Sequence, residues 1–427
     1  MAEKTLSPSR FLSGTVSLPG DKSISHRALL LAGIASGESC ISGISTSEDV
    51  LSTISCLRKL GVKIKRSKTD VVVQGVGREG LKQPRSKLDA GNSGTTMRLL
   101  TGILSAQTFI STIDGDESLR KRPMRRIIDP LEQMGAQIEN NNYRAPLKII
   151  GRPLRAIDYA SPIASAQVKS AIILAGLYAR GITRVTERSA SRDHTERMLG
   201  EFGVKAQYSM GGAGVKGPAD LQACDIDIPR DISAAAFFLV AACLLPDSEI
   251  EITNVGTNPT RIGVLDALSS MGARIKKSRE KVINNEPRTD LIAKSSSLHQ
   301  TTLQGSIISN IIDEIPILSI AATQAEGTTI IRDAQELRVK ESDRIKAIVS
   351  NLKKMNANVK ESKDGLLITG PTPLTGATID SYGDHRIAMS FAIAGLIADG
   401  KTVIKGAECV DISFPGFFDI LDEIRND

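Results

Sequence analysis

The residues of this chain best suited to chemistry are cations set beside short glycine turns. In Gly20-Asp-Lys-Ser-Ile-Ser-His-Arg27, Lys22, Ser23 and Arg27 share one turn just ahead of the apolar run Ala28-Leu-Leu-Leu-Ala32. If a helix begins there, its unpaired backbone N–H groups and its dipole already favour a phosphate or carboxylate at Lys22 and Ser23. The run is not a P-loop, because Asp21 separates Gly20 from Lys22 where that motif needs Gly-Lys-Ser. Leu88-Asp-Ala-Gly-Asn-Ser-Gly-Thr-Thr-Met-Arg98 makes a second anion nest, with Gly94 at the start of a helical run. From Arg120 to Arg126 five cations fall in seven residues, and Pro123 fits the first turn of a helix that would hold Arg122 at its N-terminus.

Other clusters are chemically ambiguous. Ser165, Ala166 and Gln167 precede a fully apolar helix, where they could cap it or meet a ligand. Ser191-Arg-Asp-His-Thr-Glu-Arg197 reads as a structural ion-pair network. Asp313 and Glu314 open another apolar helix, where carboxylates also complement the dipole. Lys340 and Arg344 are four apart, so on one helix they would share a face with Glu341 and Asp343 holding them. Asp384-His-Arg386 follows Gly383 ahead of one more helix. Each cluster alone could be a solvated or structural feature; the recurrence of anion-ready helix starts in both halves favours a converging anion site.

Composition limits the classes that need considering. A chain of 427 residues is too long for one core and suggests two or three domains. Its five cysteines are scattered without a CxxC pair, and no two of the four histidines are four apart, so neither a disulfide framework nor a metal centre is indicated. No signal peptide and no bilayer-length apolar run is visible, which places the chain in the cytoplasm or an equivalent reducing compartment. The net charge of +6 could serve nucleic acid or a small polyanion. Aromatic residues make up only 3% and Trp is absent, so stacking platforms are poorly supplied. Dispersed cations favour a small-molecule site.

The elements that must position these residues recur. Leu57-Arg-Lys-Leu-Gly61-Val returns as Leu131-Glu-Gln-Met-Gly135-Ala, Leu199-Gly-Glu-Phe-Gly203-Val, Leu268-Ser-Ser-Met-Gly272-Ala and Leu352-Lys-Lys-Met-Asn356-Ala, with a truncated Leu421-Asp-Glu-Ile-Arg425. A period of roughly 70 to 80 residues makes each copy one α/β unit: an amphipathic helix, a left-handed Gly or Asn, then strands. The length leaves room for a second, fully buried helix such as Ala234-Ala-Ala-Phe-Phe-Leu-Val-Ala-Ala242. Six units form two sets of three. The last stops after its helix, so Gly14-Thr-Val-Ser-Leu18 is expected to supply its missing strand, with two chain crossings near Gly20 and Arg230 acting as a hinge.

The runs GDKSISHR, GNSGTTMR, RKRP, SAQVKSA, SRDHTE, DEIP, ELRVKESDRI and GDHR occur here in the order seen in the EPSP synthase family of enolpyruvyl transferases, which the chain resembles over essentially its whole length. The resemblance implies two inside-out α/β domains of three βαβαββ-type units each, one of residues 21–229 and a discontinuous one of 1–20 plus 230–427, closing over an active site in the cleft between them. It implies shikimate 3-phosphate contacts from Lys22, Ser23, Arg27, Ser165, Ala166, Gln167, Asp313 and Lys340. Phosphoenolpyruvate contacts are implied for Lys22, Gly94, Arg122, Gln167, Arg344 and Arg386. The implied reaction adds the 5-hydroxyl of shikimate 3-phosphate to C2 of phosphoenolpyruvate and then eliminates phosphate, with Asp313 as base and Glu341 and Lys22 moving protons. No cofactor or metal is implied, and the chain is expected to act as a monomer without nucleic-acid or membrane partners.

Departures and rivals also follow from the sequence. Several members of the family place Lys just before Ser/Thr-Phe-Pro, where this chain has Ile412, so one phosphoenolpyruvate contact is in doubt. Gly94 keeps the position where glyphosate-tolerant members have Ala, so glyphosate is expected to compete with phosphoenolpyruvate, although Leu99 replaces the Pro of many sensitive members. The sister enzyme acting on UDP-N-acetylglucosamine typically carries a reactive Cys in a loop that here, from Ser111 to Arg126, has none. A basic nucleic-acid-binding or RNA-end-processing relative would explain the positive charge but not the acids beside the cations. A non-catalytic repeat scaffold would show no stabilisation by ligands.

Overall fold

Among the described residues, six helices are apolar on nearly every face: α1 (Lys22–Ile34), α2 (Gly94–Ser105), α3 (Ala166–Gly176), α4 (Ile232–Leu244), α5 (Ile315–Gln324) and α6 (His385–Ile397). Such helices are stable only when covered all round. Their starts are written in short polar side chains: Asp21, Ser93, Ser165, Asp231 and Asp384 each cap a backbone N–H of the first turn. Pro316 instead stands in the first turn of α5, where a missing N–H costs nothing. The structure is a computed structural model and describes residues 2–209 and 211–426.

Each repeat couples one buried helix to one amphipathic helix and a small sheet. Gly61, Gly135, Gly203, Gly272 and Asn356 all follow an amphipathic helix with positive φ, between 64° and 99°. That left-handed geometry ends the helix and turns the chain into a strand. Arg425 is extended with φ −73°, so the sixth copy lacks this turn. In the second unit Leu88–Asp89 runs parallel to Ile110–Asp114, which pairs antiparallel with Arg144–Ile150, and Gln137–Asn141 forms the far edge. The sheets of Asp158–Ser161 and of Thr302–Leu303 repeat this order of one parallel and two antiparallel pairings.

The chain divides into two compact units. Unit 1 comprises Met1–Pro19, Arg230–Lys281 and Pro287–Asp427, and unit 2 comprises Gly20–Pro229 and Val282–Glu286. Each has its own buried apolar cluster and three of the six sheets. Helices line the inside of each unit and sheets the outside. In unit 2, α2 and α3 approach so closely that a Cβ on Gly102 would lie 2.3 Å from the Ala171 carbonyl oxygen, so only glycine fits there. In unit 1, Phe237 and Phe238 of α4 meet Phe414 and Phe417 with centroids 5.6–6.1 Å apart. Full burial of Phe238, which is 0% exposed, contributes about 1.5–3 kcal/mol.

One strand expectation is corrected. The third sheet of unit 1 is completed by Glu3–Leu6, antiparallel to Thr402–Lys405. Phe11–Val16, which contains Gly14, runs parallel to Glu249–Gly256 and, at its start, antiparallel to Arg425–Asn426 just after the last helix. It is the first strand of the α4 repeat, and the whole of Gly20–Pro229 interrupts that repeat between its strand and its helix. The first repeat of unit 2 is permuted likewise: Leu221–Gln222 and Ile226–Asp227 supply the parallel neighbours of Ala35–Ser42.

Candidate active site

In unit 2 the starts of α1, α2 and α3 are tied together by side chains. Lys22 is the first residue of α1, and its Nζ pairs with Asp49 Oδ2 at 3.0 Å, both side chains more than four-fifths buried. Ser23 Oγ is reached by Arg192 Nη1 at 3.5 Å. Arg27 is buried and donates from Nε to Thr195 Oγ1 (2.7 Å), from Nη1 to the Ser23 carbonyl (2.9 Å) and from Nη2 to Ser170 Oγ (2.9 Å). Arg27 therefore braces α1 against α3.

Gly94 opens α2, and a Cβ placed on it would lie 2.7 Å from Arg98 Nη1 and 3.5 Å from Arg122 Nη1. Two guanidinium groups thus flank the side-chain-free helix start. Arg98 Nη1 donates to Gln167 Oε1 at 2.6 Å, and Gln167 Nε2 donates to Thr95 Oγ1 at 2.9 Å. Arg122 Nη2 donates to Asn92 Oδ1 and, at 3.4 Å, to Ser118 Oγ. Ser165 caps Val168 N at 3.5 Å, its own N–H donates to Glu187 Oε1 at 2.9 Å, and Ala166 begins α3. Just behind, Lys169 is buried between Glu187 (3.1 Å) and Glu196 (3.0 Å). Burial opposes its charge, and the two carboxylates more than offset that, raising its pKa. Ser191 Oγ joins Glu187, so the Ser191–Arg197 run is a structural network here.

The placement of Arg122 differs from expectation. Asp116 caps Leu119 N at 2.7 Å and starts a short helix, Glu117–Lys121, one turn early. Arg122 is the C-cap of that helix, and the next one begins only at Arg125. Pro123 lies in the connection and not in a first helical turn.

Unit 1 gathers the other group around Arg344, which is 1% exposed. Its Nε donates to Asp384 Oδ2 (2.8 Å), Nη1 to Asp313 Oδ1 (3.2 Å) and Nη2 to Glu341 Oε2 (2.7 Å). Burial disfavours the guanidinium charge, but Asp384, then Glu341 and Asp313, outweigh it and raise its pKa further. Asp313 has two more cations at hand, Lys340 Nζ at 3.7 Å and Arg386 Nη2 at 3.8 Å. Arg386 Nη1 also donates to the Asp313 carbonyl at 2.9 Å. Glu314 faces inward, accepting from Ser233 Oγ. Desolvation holds the Lys340 ammonium below the ordinary lysine value, with Asp313 pulling in the opposite direction.

Lys340 and Arg344 do not share a helix. Lys340 ends the 3-10 turn Gln335–Val339, and Asp343 starts a fresh helix at Arg344 by accepting from Lys346 N at 3.0 Å. They converge on Asp313 through the bend at 340–343. Asp343 pairs with Arg338 at 2.9 Å instead of holding either cation. Ile412 packs partly buried against the apolar cluster of unit 1.

Five residues in this machinery were not singled out from the sequence: Asp49, Asn92, Thr95, Arg98 and Arg192. Asn92, Thr95 and Arg98 stood inside the quoted run Leu88–Arg98 and Arg192 inside Ser191–Arg197, and a helical reading from Gly94 would have put Arg98 one turn above that glycine. Asp49 lies in the first turn of Glu48–Lys59, where an acid also complements the helix dipole and so gives no local sign of a partner. Only tertiary packing brings it to Lys22.

Comparison with known proteins places the whole chain in one family. The family described as EPSP synthase (3-phosphoshikimate 1-carboxyvinyltransferase) matches residues 6–421. The chain is 52% identical to a 3-phosphoshikimate 1-carboxyvinyltransferase of Pelotomaculum thermopropionicum, covering 98% of each chain. It is 51% identical to one of Brevibacillus brevis, covering 97% of each. A solved EPSP synthase of Acinetobacter baumannii superimposes with a TM-score of 0.89 at 42% identity, over 100% of this chain and 98% of that one. A family match over nearly all of the chain, joined to a fold shared from end to end, makes this chain a member of the EPSP synthase family.

Proposed function

We propose that the chain transfers the enolpyruvyl group of phosphoenolpyruvate to the 5-hydroxyl of shikimate 3-phosphate, giving 5-enolpyruvylshikimate 3-phosphate and phosphate. The observation that carries this reading is Asp313, a carboxylate within 3.2–3.8 Å of Arg344, Lys340 and Arg386. Together the two substrates bring two phosphates and two carboxylates, the anions for which those cations are suited. Lys22, Ser23, Arg27, Ser165, Ala166, Gln167, Asp313 and Lys340 contact shikimate 3-phosphate. Lys22, Gly94, Arg122, Gln167, Arg344 and Arg386 contact phosphoenolpyruvate.

In the addition step the 5-hydroxyl oxygen bonds to C2, its proton passes to Asp313, and C3 takes up a proton. In the elimination step C3 gives a proton back, the double bond re-forms and phosphate leaves C2 with its electron pair. Glu341 and Lys22 handle the protons at C3 and at the leaving phosphate. Substrate anions draw Arg344, Lys340 and Arg386 away from Asp313, and so free its carboxylate to act as the base. The reaction runs in the cytoplasm with the chain as a monomer, and glyphosate competes with phosphoenolpyruvate. The test is phosphate release. It should require both substrates together, and release with UDP-N-acetylglucosamine in place of shikimate 3-phosphate would overturn the assignment.

A further inference from the structure

A buried line of hydroxyl groups joins α1 to the start of α2. His26 Nδ1 lies 2.7 Å from Thr53 Oγ1, Thr53 Oγ1 lies 2.7 Å from Thr96 Oγ1, and Thr96 Oγ1 donates to Ser93 Oγ, the N-cap of α2, at 2.8 Å. All four residues are 0% exposed. Each hydroxyl group has one proton to donate, so the bonds along this line constrain one another. Besides Thr53, the Thr96 hydroxyl has two acceptors for its one proton: Ser93 Oγ at 2.8 Å and the Asp49 carbonyl, which can only accept, at 3.3 Å. With the proton given to either of these, Thr53 donates to Thr96. Its oxygen is left to accept, and the imidazole must supply the proton from Nδ1.

We propose that His26 is a positioning residue, neutral with its proton on Nδ1, whose donated hydrogen bond orients the Thr53–Thr96–Ser93 chain and so holds the Gly94 end of α2 in register with Lys22 on α1. Nε2 has no hydrogen-bond partner among the described residues, so a second proton there would be buried and unsatisfied. The charged neighbours agree: Lys22 and Arg27 on α1 both oppose a cation at His26, and the carboxylate of Asp49 from the adjoining helix is paired with Lys22. Burial, the first of these causes, pushes the imidazole pKa well below its usual value. The link to catalysis rests on the proposed contacts of Lys22 and Gly94 with phosphoenolpyruvate.

Three variants and one spectrum test this. His26→Asn keeps an N–H near the Nδ1 position, His26→Leu removes it, and Thr53→Val removes the next link. The Leu and Val variants should raise the KM for phosphoenolpyruvate about five- to tenfold with kcat changed less, as expected for one lost hydrogen bond. The Asn variant should stay near wild type. Nitrogen-15 spectra of the wild-type imidazole at neutral pH should show Nδ1 protonated and Nε2 bare. An Nε2–H tautomer, or a folded Leu variant with an unchanged KM, would overturn the proposal. If the Leu variant does not fold, the Val variant and the spectrum decide. Should the wild type release no phosphate at all, the functional reading fails while the spectrum still decides the tautomer.

Discussion

Arg344 Nη1 lies 3.2 Å from Asp313 Oδ1, and the same guanidinium is bonded to Asp384 and Glu341. The candidate base is therefore held by the same cations that are proposed to receive phosphoenolpyruvate. If Asp313 takes the hydroxyl proton, Asp313→Ala should lower kcat by about 10²–10⁴, the range for one general base. Calorimetry should still detect binding of each substrate. Near-normal turnover with binding retained would remove the residue from its role.

Arg344 also neutralises buried acids. Asp384 is fully buried and Glu341 and Asp313 are partly buried, and Arg344→Ala would leave three carboxylates without their shared cation. Removing one partner of a buried ion pair costs about 3–5 kcal/mol. Denaturant unfolding should show a loss of that order, and adding Asp384→Asn should recover part of it. A loss below about 1 kcal/mol would mean that water already reaches the cluster.

Gly94→Ala would put a methyl group against Arg98 Nη1, the atom bonded to Gln167 Oε1. Arg98 can swing aside because only its flexible end is touched, but it then loosens Gln167 and narrows the space before Arg122. One methyl group in a binding pocket shifts affinity by about 10- to 200-fold, and glyphosate inhibition should weaken within that range while phosphoenolpyruvate KM rises less. Wild-type protein that keeps full activity in millimolar glyphosate would contradict the premise.

What was legible in the sequence was local. Gly61, Gly135, Gly203, Gly272 and Asn356 encode a φ that ends a helix, and apolar runs such as Ala234–Ala242 encode burial, so repeats and buried helices could be read directly. What was not legible depended on distant partners. Phe11–Val16 could not be placed because its neighbours, Glu249–Gly256 and Arg425–Asn426, lie more than two hundred residues away. Pro123 suggested a helix start, but Asp116 had already begun one, and Asp343 broke the expected Lys340–Arg344 helix in the same way. Asp49 could not be tied to Lys22 because nothing local joins them. Roles in the reaction came from the family resemblance, since charge and spacing alone left each cluster open to a structural reading.

The buried imidazole also predicts how stability responds to acid. His26 is held well below its ordinary pKa, first by burial and then by Lys22 and Arg27. Between that lowered value and about 6.5, the unfolded chain binds a proton at this residue and the folded chain does not. Stability is therefore fully present above about pH 6.5 and is lost progressively as the pH falls towards the folded-state value. His26→Asn removes the titrating group while keeping an N–H for Thr53. Comparing the two proteins by denaturant unfolding cancels the other histidines, so the wild type should lose more stability than the variant between about pH 7.5 and about pH 5.5. Equal losses would mean that the imidazole can take up a proton in the folded chain, which requires a partner for Nε2 that the packing around α1 does not supply.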